Sequence, residues 1–65
     1  MGMNKVTLPH DPCWYPLEWA YKNCPSYMTN DLEKDTDRMG LPFTKFVNYY
    51  FEDERDAALF ALRWA

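Results

Sequence analysis

The chain has 65 residues, ten acidic against seven Lys or Arg, a formal net charge of −3 and an aromatic content of 18%. That length holds one small domain, which hides only about 60% of the surface its unfolded chain exposes. The negative balance argues against nonspecific binding to phosphate backbones and is compatible with a basic protein surface as partner. No run approaches the roughly 20 apolar residues of a membrane span, and the opening Met1–Pro12 lacks the apolar centre of a secretory leader. A cytoplasmic protein with no membrane partner is the expectation.

In chain order, Lys5–Leu8 reads as a short strand that Pro9 ends. His10-Asp11-Pro12 turns the chain. Pro12 and Pro16 are tolerated only near a helix start, so a helix is expected from Pro16, with residues 12–15 as its entry turn. Leu17, Ala20, Tyr21 and Cys24 form its apolar stripe, and Glu18 with Lys22 an i,i+4 ion pair. Trp14 and Trp19 fall outside that stripe. Pro25 stops the helix.

Cys13 and Cys24 lie eleven positions apart in the chain. A helix between them would hold them about 16 Å apart, whereas a disulfide needs Cα atoms within about 7 Å. Free thiols are expected. His10 and Cys13 with Cys24 make three of the four ligands a structural zinc requires, and no second close pair follows. Nothing orients His10 and Cys13 as a nucleophile and its base. No metal and no cofactor are expected.

Ser26–Thr29 reads as a short strand. Residues 30–42 carry helix punctuation: Asn30 as cap, Glu33 at the capping-box position, Gly40 at the C-terminal cap and Pro42 beyond it. A weakly anchored helix or an ordered loop is expected there. Residues 43–52 are the clearest strand. Phe43, Lys45, Val47, Tyr49 and Phe51 lie on one face, and Thr44, Phe46, Asn48 and Tyr50 on the other. Such a strand is central, covered twice, or half-covered with its second face awaiting a partner. Asp53 then caps a helix whose stripe is Ala57, Phe60, Ala61 and Trp64, widened by Leu59 and Leu62. The acidic stretches Asp31–Asp37 and Glu52–Asp56 read as solvated, capping segments or as a patch imitating nucleic acid. The order predicts an α+β domain: a small two- or three-stranded sheet covered on one face by two helices.

Two resemblances add to this. Phe46-Val47-Asn48-Tyr49, followed by a helix opened by Asp56-Ala57, resembles the third strand and second helix of an RNA-recognition motif domain, in which strand aromatics stack on bases. It implies single-stranded nucleic-acid binding on the 43–51 strand. More of the chain resembles small uncharacterised proteins of tailed, particularly marine, bacteriophages. The residues are Leu8-Pro9, Trp14–Cys24 as W-x-x-x-E-W-x-x-x-N-C, and Phe51–Trp64 as F-x-D-x-x-D-A-x-x-F-x-L-R-W. That resemblance implies a phage accessory protein in a bacterial host cell, with no assigned chemistry.

Three Trp, five Tyr and four Phe are more than a small core can enclose. Grouped exposed aromatics mark interfaces. The carboxylates Asp53, Glu54 and Asp56 read as capping charges, so no enzyme is expected. The expected function is protein–protein interaction, binding or inhibiting a host or phage protein. Its surface is Phe46 and Tyr50 with Trp14 or Trp19 beside them, rimmed by Tyr27 and the acidic segment. Edge-to-edge pairing of two copies is a second form of the same expectation. Nucleic acid is the competing partner, disfavoured by the charge.

Overall fold

The computed structural model describes residues 3–65, which form three strands and two helices in the order β1 (Asn4–Pro9), α1 (Tyr15–Asn23), β2 (Tyr27–Thr36), β3 (Pro42–Phe51) and α2 (Glu54–Trp64). The sheet is antiparallel with order β1-β3-β2. Both outer strands oppose β3, so they run parallel to each other, with α1 as the crossover between them. This is a split β-α-β arrangement. The α+β class and a sheet with two helices on one face are as expected.

Alternation decides which face is covered. Val6 and Leu8 of β1 and Val47, Tyr49 and Phe51 of β3 are buried, and they join Ala20, Cys24, Ala57 and Phe60 from the helices in one core. The Phe60 ring stands 4.9 Å from that of Tyr49 and 5.0 Å from that of Phe51. Such tilted aromatic contacts add to the burial energy. Trp19 packs on Phe60 and Trp64 from the flank of the same layer.

Several expectations are corrected. Residues 30–42 form neither a helix nor a loop: β2 continues to Thr36, and Asp37–Leu41 is the turn into β3. Asp37 closes this turn. Its carboxylate accepts from the N–H groups of Met39 and Leu41, and its own N–H donates to the Leu41 carbonyl. Gly40 has φ +79°, and a Cβ there would meet nothing within 4 Å. Its backbone angle, and not lack of space, therefore selects glycine. Tyr21 is 70% exposed and leaves the stripe, which instead buries Pro16, Ala20 and Cys24. Leu59 and Leu62 face solvent and do not widen the α2 stripe.

Asp53 caps α2 by accepting from the Arg55 N–H at 2.9 Å. Asp56 turns away from its own helix. Its carboxylate accepts from both the N–H and the hydroxyl of Ser26, at 3.0 and 2.6 Å. Those two bonds hold its carboxyl below the usual range. Ser26 Oγ accepts in turn from the Asp53 N–H. The start of α2 is thus tied to the turn between α1 and β2. Cys24 is buried here, and desolvation together with the Asp56 charge pushes its thiol up; Cys13 is exposed, and both thiols are free.

The hairpin outgrows its cover. Residues 31–43 are exposed throughout, including Leu32, Met39, Leu41 and Phe43. The molecule measures 40 × 26 × 16 Å with a radius of gyration of 12.7 Å. A compact chain of this length would have a radius of about 11 Å. The β2–β3 arm accounts for the difference.

An uncovered sheet face

Strand pairing gathers the other face from all three strands. Cross-strand partners share a face. Tyr50 lies between Lys5 and Thr29, Asn48 between Thr7 and Asp31, and Phe46 between Pro9 and Glu33. The β1 and β2 members of this set are exposed, and Phe46 and Tyr50 are half-buried. Both helices lie on the opposite side. The set is therefore the uncovered face.

A chain of hydrogen bonds crosses it. The Thr7 hydroxyl donates to Asn48 Oδ1 at 2.6 Å, and Asn48 Nδ2 donates to Asp31 Oδ1 at 2.8 Å. The Tyr50 hydroxyl donates to the second Asp31 oxygen at 2.9 Å. Asn48 is only 5% exposed although no helix covers it, because its neighbours on this face shield it. The bonds from Asn48 and then from Tyr50 hold the Asp31 carboxyl below its usual range, with the Lys5 charge helping. The same bond raises the Tyr50 phenol. Asp31 is thus a fixed anion on the β2 side of the face, opposite Asn48 of the central strand. Each of its oxygens accepts one bond and keeps a lone pair free.

Two rings flank this anion, Tyr50 on one side and Phe46 further along β3. Lys45 Nζ stands 5.5 Å from the Phe46 ring centroid and 3.6 Å from Asp35. One ring of the face therefore already meets a cation, at the distance such contacts need.

The five residues expected at the interface are not brought together. Phe46 and Tyr50 share the uncovered face. Trp14, Trp19 and Tyr27 pack against the core on the helix side. Trp14 caps α1 at φ 56°, the one positive φ outside glycine among the described residues. That conformation costs about 1–2 kcal/mol. Packing of its indole on the core and edge-on against His10, at 5.6 Å, holds it there. Tyr27 meets Tyr21 and Phe51 edge-on and Tyr49 at a tilt, and its hydroxyl donates to Asn30 Oδ1. Desolvation, with the Tyr21 and Tyr49 phenols near, pushes its own phenol up to about 12. Trp19 lines a shallow groove of about 340 Å³ between the helices, with Tyr15, Glu18, Lys22, Arg63 and Trp64.

Sequence reasoning missed Thr7 and placed Asp31 and Glu33 only in the acidic rim, whereas strand pairing sets all three on the face itself. One local signal pointed to them: Asp31 and Glu33 alternate with Leu32, the period of a strand. Among the described residues, no helix is long and apolar enough to cross a membrane. The chain matches no protein-family model, no curated protein and no solved structure.

Proposed function

We propose that this protein is a small interaction module that binds a protein partner through the uncovered face of its sheet. The partner presents Lys or Arg side chains to that face. One observation carries the reading: Asp31, held ionised by Asn48 and Tyr50, sits between the rings of Tyr50 and Phe46 with Glu33 beside it. A guanidinium can pair with the free lone pairs of Asp31 and lie against a ring at once. A phosphate meets repulsion at the same place, and the net charge of −3 adds to it. The module acts by occupying its partner and needs no catalytic group.

Fluorescence anisotropy of a labelled, short Arg-rich peptide tests this. Binding is expected, and Phe46→Ala and Asp31→Asn are each expected to weaken it about tenfold while the far-UV circular dichroism is kept. Affinity should stay level from about pH 7 to 5 and fall only below about pH 4, where Asp31, its carboxyl held below the usual range, takes up a proton. Unchanged peptide affinity in both variants would remove the assignment. Tighter binding of oligothymidylate than of the peptide, weakening with salt, would replace it with nucleic-acid binding.

A further inference from the structure

We infer that two copies of this chain pair antiparallel through the outer edge of β1, in the register that places Val6 on the two-fold axis. This stands on the geometry of the strand edge and is independent of what the uncovered face binds.

The direction of the backbone groups follows from one bond. The His10 N–H donates to the Lys45 carbonyl at 3.1 Å. In an antiparallel pair, hydrogen-bonded partners recur at every second residue. Continuing the observed register, Leu8 with Val47, Val6 with Tyr49 and Asn4 with Phe51 bond inward to β3. The N–H and C=O of Lys5 and Thr7, and the C=O of Pro9, therefore point outward. Among the described residues, no strand pairs with that edge.

The two edges of the sheet are not equivalent. β2 carries an extra residue, Met28, between Tyr27 and Thr29, its pairing with β3 shifts register again at Glu33/Lys34, where Lys45 of β3 is the extra residue, and it bears Asp31, Glu33 and Asp35. Irregularity and like charge both obstruct strand addition. β1 is regular, and α2 already packs across it: Val6 and Leu8 are 9% and 3% exposed although the strand is at an edge. A strand laid beside β1 would enter a layer whose roof is in place.

Self-pairing selects its own register. Centring the pair on Lys5 sets two ammonium groups directly opposite each other, which is unfavourable. Centring it on Thr7 sets Lys5 against Pro9, whose missing N–H leaves the Lys5 carbonyl without a donor. Centring it on Val6 sets Lys5 against the partner's Thr7, and Thr7 against the partner's Lys5. All the outward donors and acceptors of both residues are then matched. Val6 faces the partner's Val6 as a close, β-branched, non-hydrogen-bonded pair on the helix side. The product is one six-stranded sheet in the order β2-β3-β1-β1-β3-β2, with all four helices on one side. The two Phe46–Asn48–Tyr50 rows then lie on one continuous surface, about 14 Å apart at a strand spacing of about 4.8 Å.

Sedimentation equilibrium from micromolar to millimolar protein tests this. The mass is expected to rise from 7.8 kDa toward twice that value. Lys5→Pro removes an outward N–H at an edge where proline is tolerated, and should keep the protein monomeric with a cooperative melt. Leu32→Lys, on the β2 edge, should leave the dimer intact. Amide hydrogen exchange on the unmodified chain gives the second readout. Exchange at Lys5 and Thr7 should slow about tenfold or more as dimer forms, while no concentration dependence appears at the outer edge of β2. A monomer at millimolar concentration would overturn the inference. So would a dimer in which the Lys5 and Thr7 amides exchange freely, or one that survives Lys5→Pro. If Lys5→Pro fails to fold, mass and exchange on the unmodified chain decide.

Discussion

Replacing Phe60 with alanine is expected to leave little folded protein. Its side chain has no exposed surface, and it is the one helical ring that touches Tyr49, Phe51 and Trp19 together. Large-to-small changes at such positions cost about 3–5 kcal/mol. A domain of this size has about 3–10 kcal/mol in total. The loss is therefore comparable with the whole stability. In a thermal melt, a fall of about 15 °C or more is expected, since each kcal/mol is worth about 4–8 °C at this size. A cooperative transition within a few degrees of the unmodified protein would show that the aromatic layer between sheet and helices is not what holds the fold.

Trp64 should separate two effects at one position. Its ring packs edge-on against Trp19 at 6.5 Å, and the Arg63 guanidinium lies 4.6 Å from its centroid. Its Nε1–H is buried with no hydrogen-bond partner. An unpaired buried donor costs about 1–3 kcal/mol. Trp64→Ala loses the ring and should destabilise by about 3 kcal/mol. Trp64→Phe keeps much of the apolar contact and discards the unpaired donor, so the net change should be within about 1 kcal/mol. Truncation after Leu62 should be at least as damaging as the alanine variant. Urea unfolding of the three proteins checks this. Equal losses for alanine and phenylalanine would show that a smaller ring cannot replace the indole and that removing its unpaired N–H gives no compensating gain.

The helix-side half of this protein was legible in the sequence because it rests on short-range patterns. Val47, Tyr49 and Phe51 alternate, Ala57, Phe60, Ala61 and Trp64 recur with helical period, and Asp53 sits where a cap belongs. β2 was not legible. Asn30, Glu33, Gly40 and Pro42 fall at helix-boundary spacing by coincidence, and Asp37 and Gly40 serve a hairpin turn instead. Most of β2 is an exposed arm, so few apolar residues mark its period. Tyr21 followed the helical stripe in sequence, yet α1 turns Pro16, Ala20 and Cys24 inward and leaves it out.

The candidate site divides in the same way. Phe46 and Tyr50 could be assigned to the second face of β3 from alternation alone. The Thr7–Asn48–Asp31–Tyr50 chain could not, because it exists only once three strands from distant parts of the sequence take their register. Trp14 and Trp19 read as surplus by spacing, but in a molecule this thin, rings at the border of a stripe still reach the core.

Backbone amide chemical shifts of ¹⁵N-labelled protein, followed while an Arg-rich peptide is added, locate the binding surface residue by residue. Saturable shifts are expected at Lys5, Thr7, Thr29, Asp31, Glu33, Phe46, Asn48 and Tyr50 alone, with α1 and α2 silent. Shifts centred on the helix layer, around Tyr15, Trp19 and Arg63, with the uncovered face unmoved, would overturn the proposed binding surface.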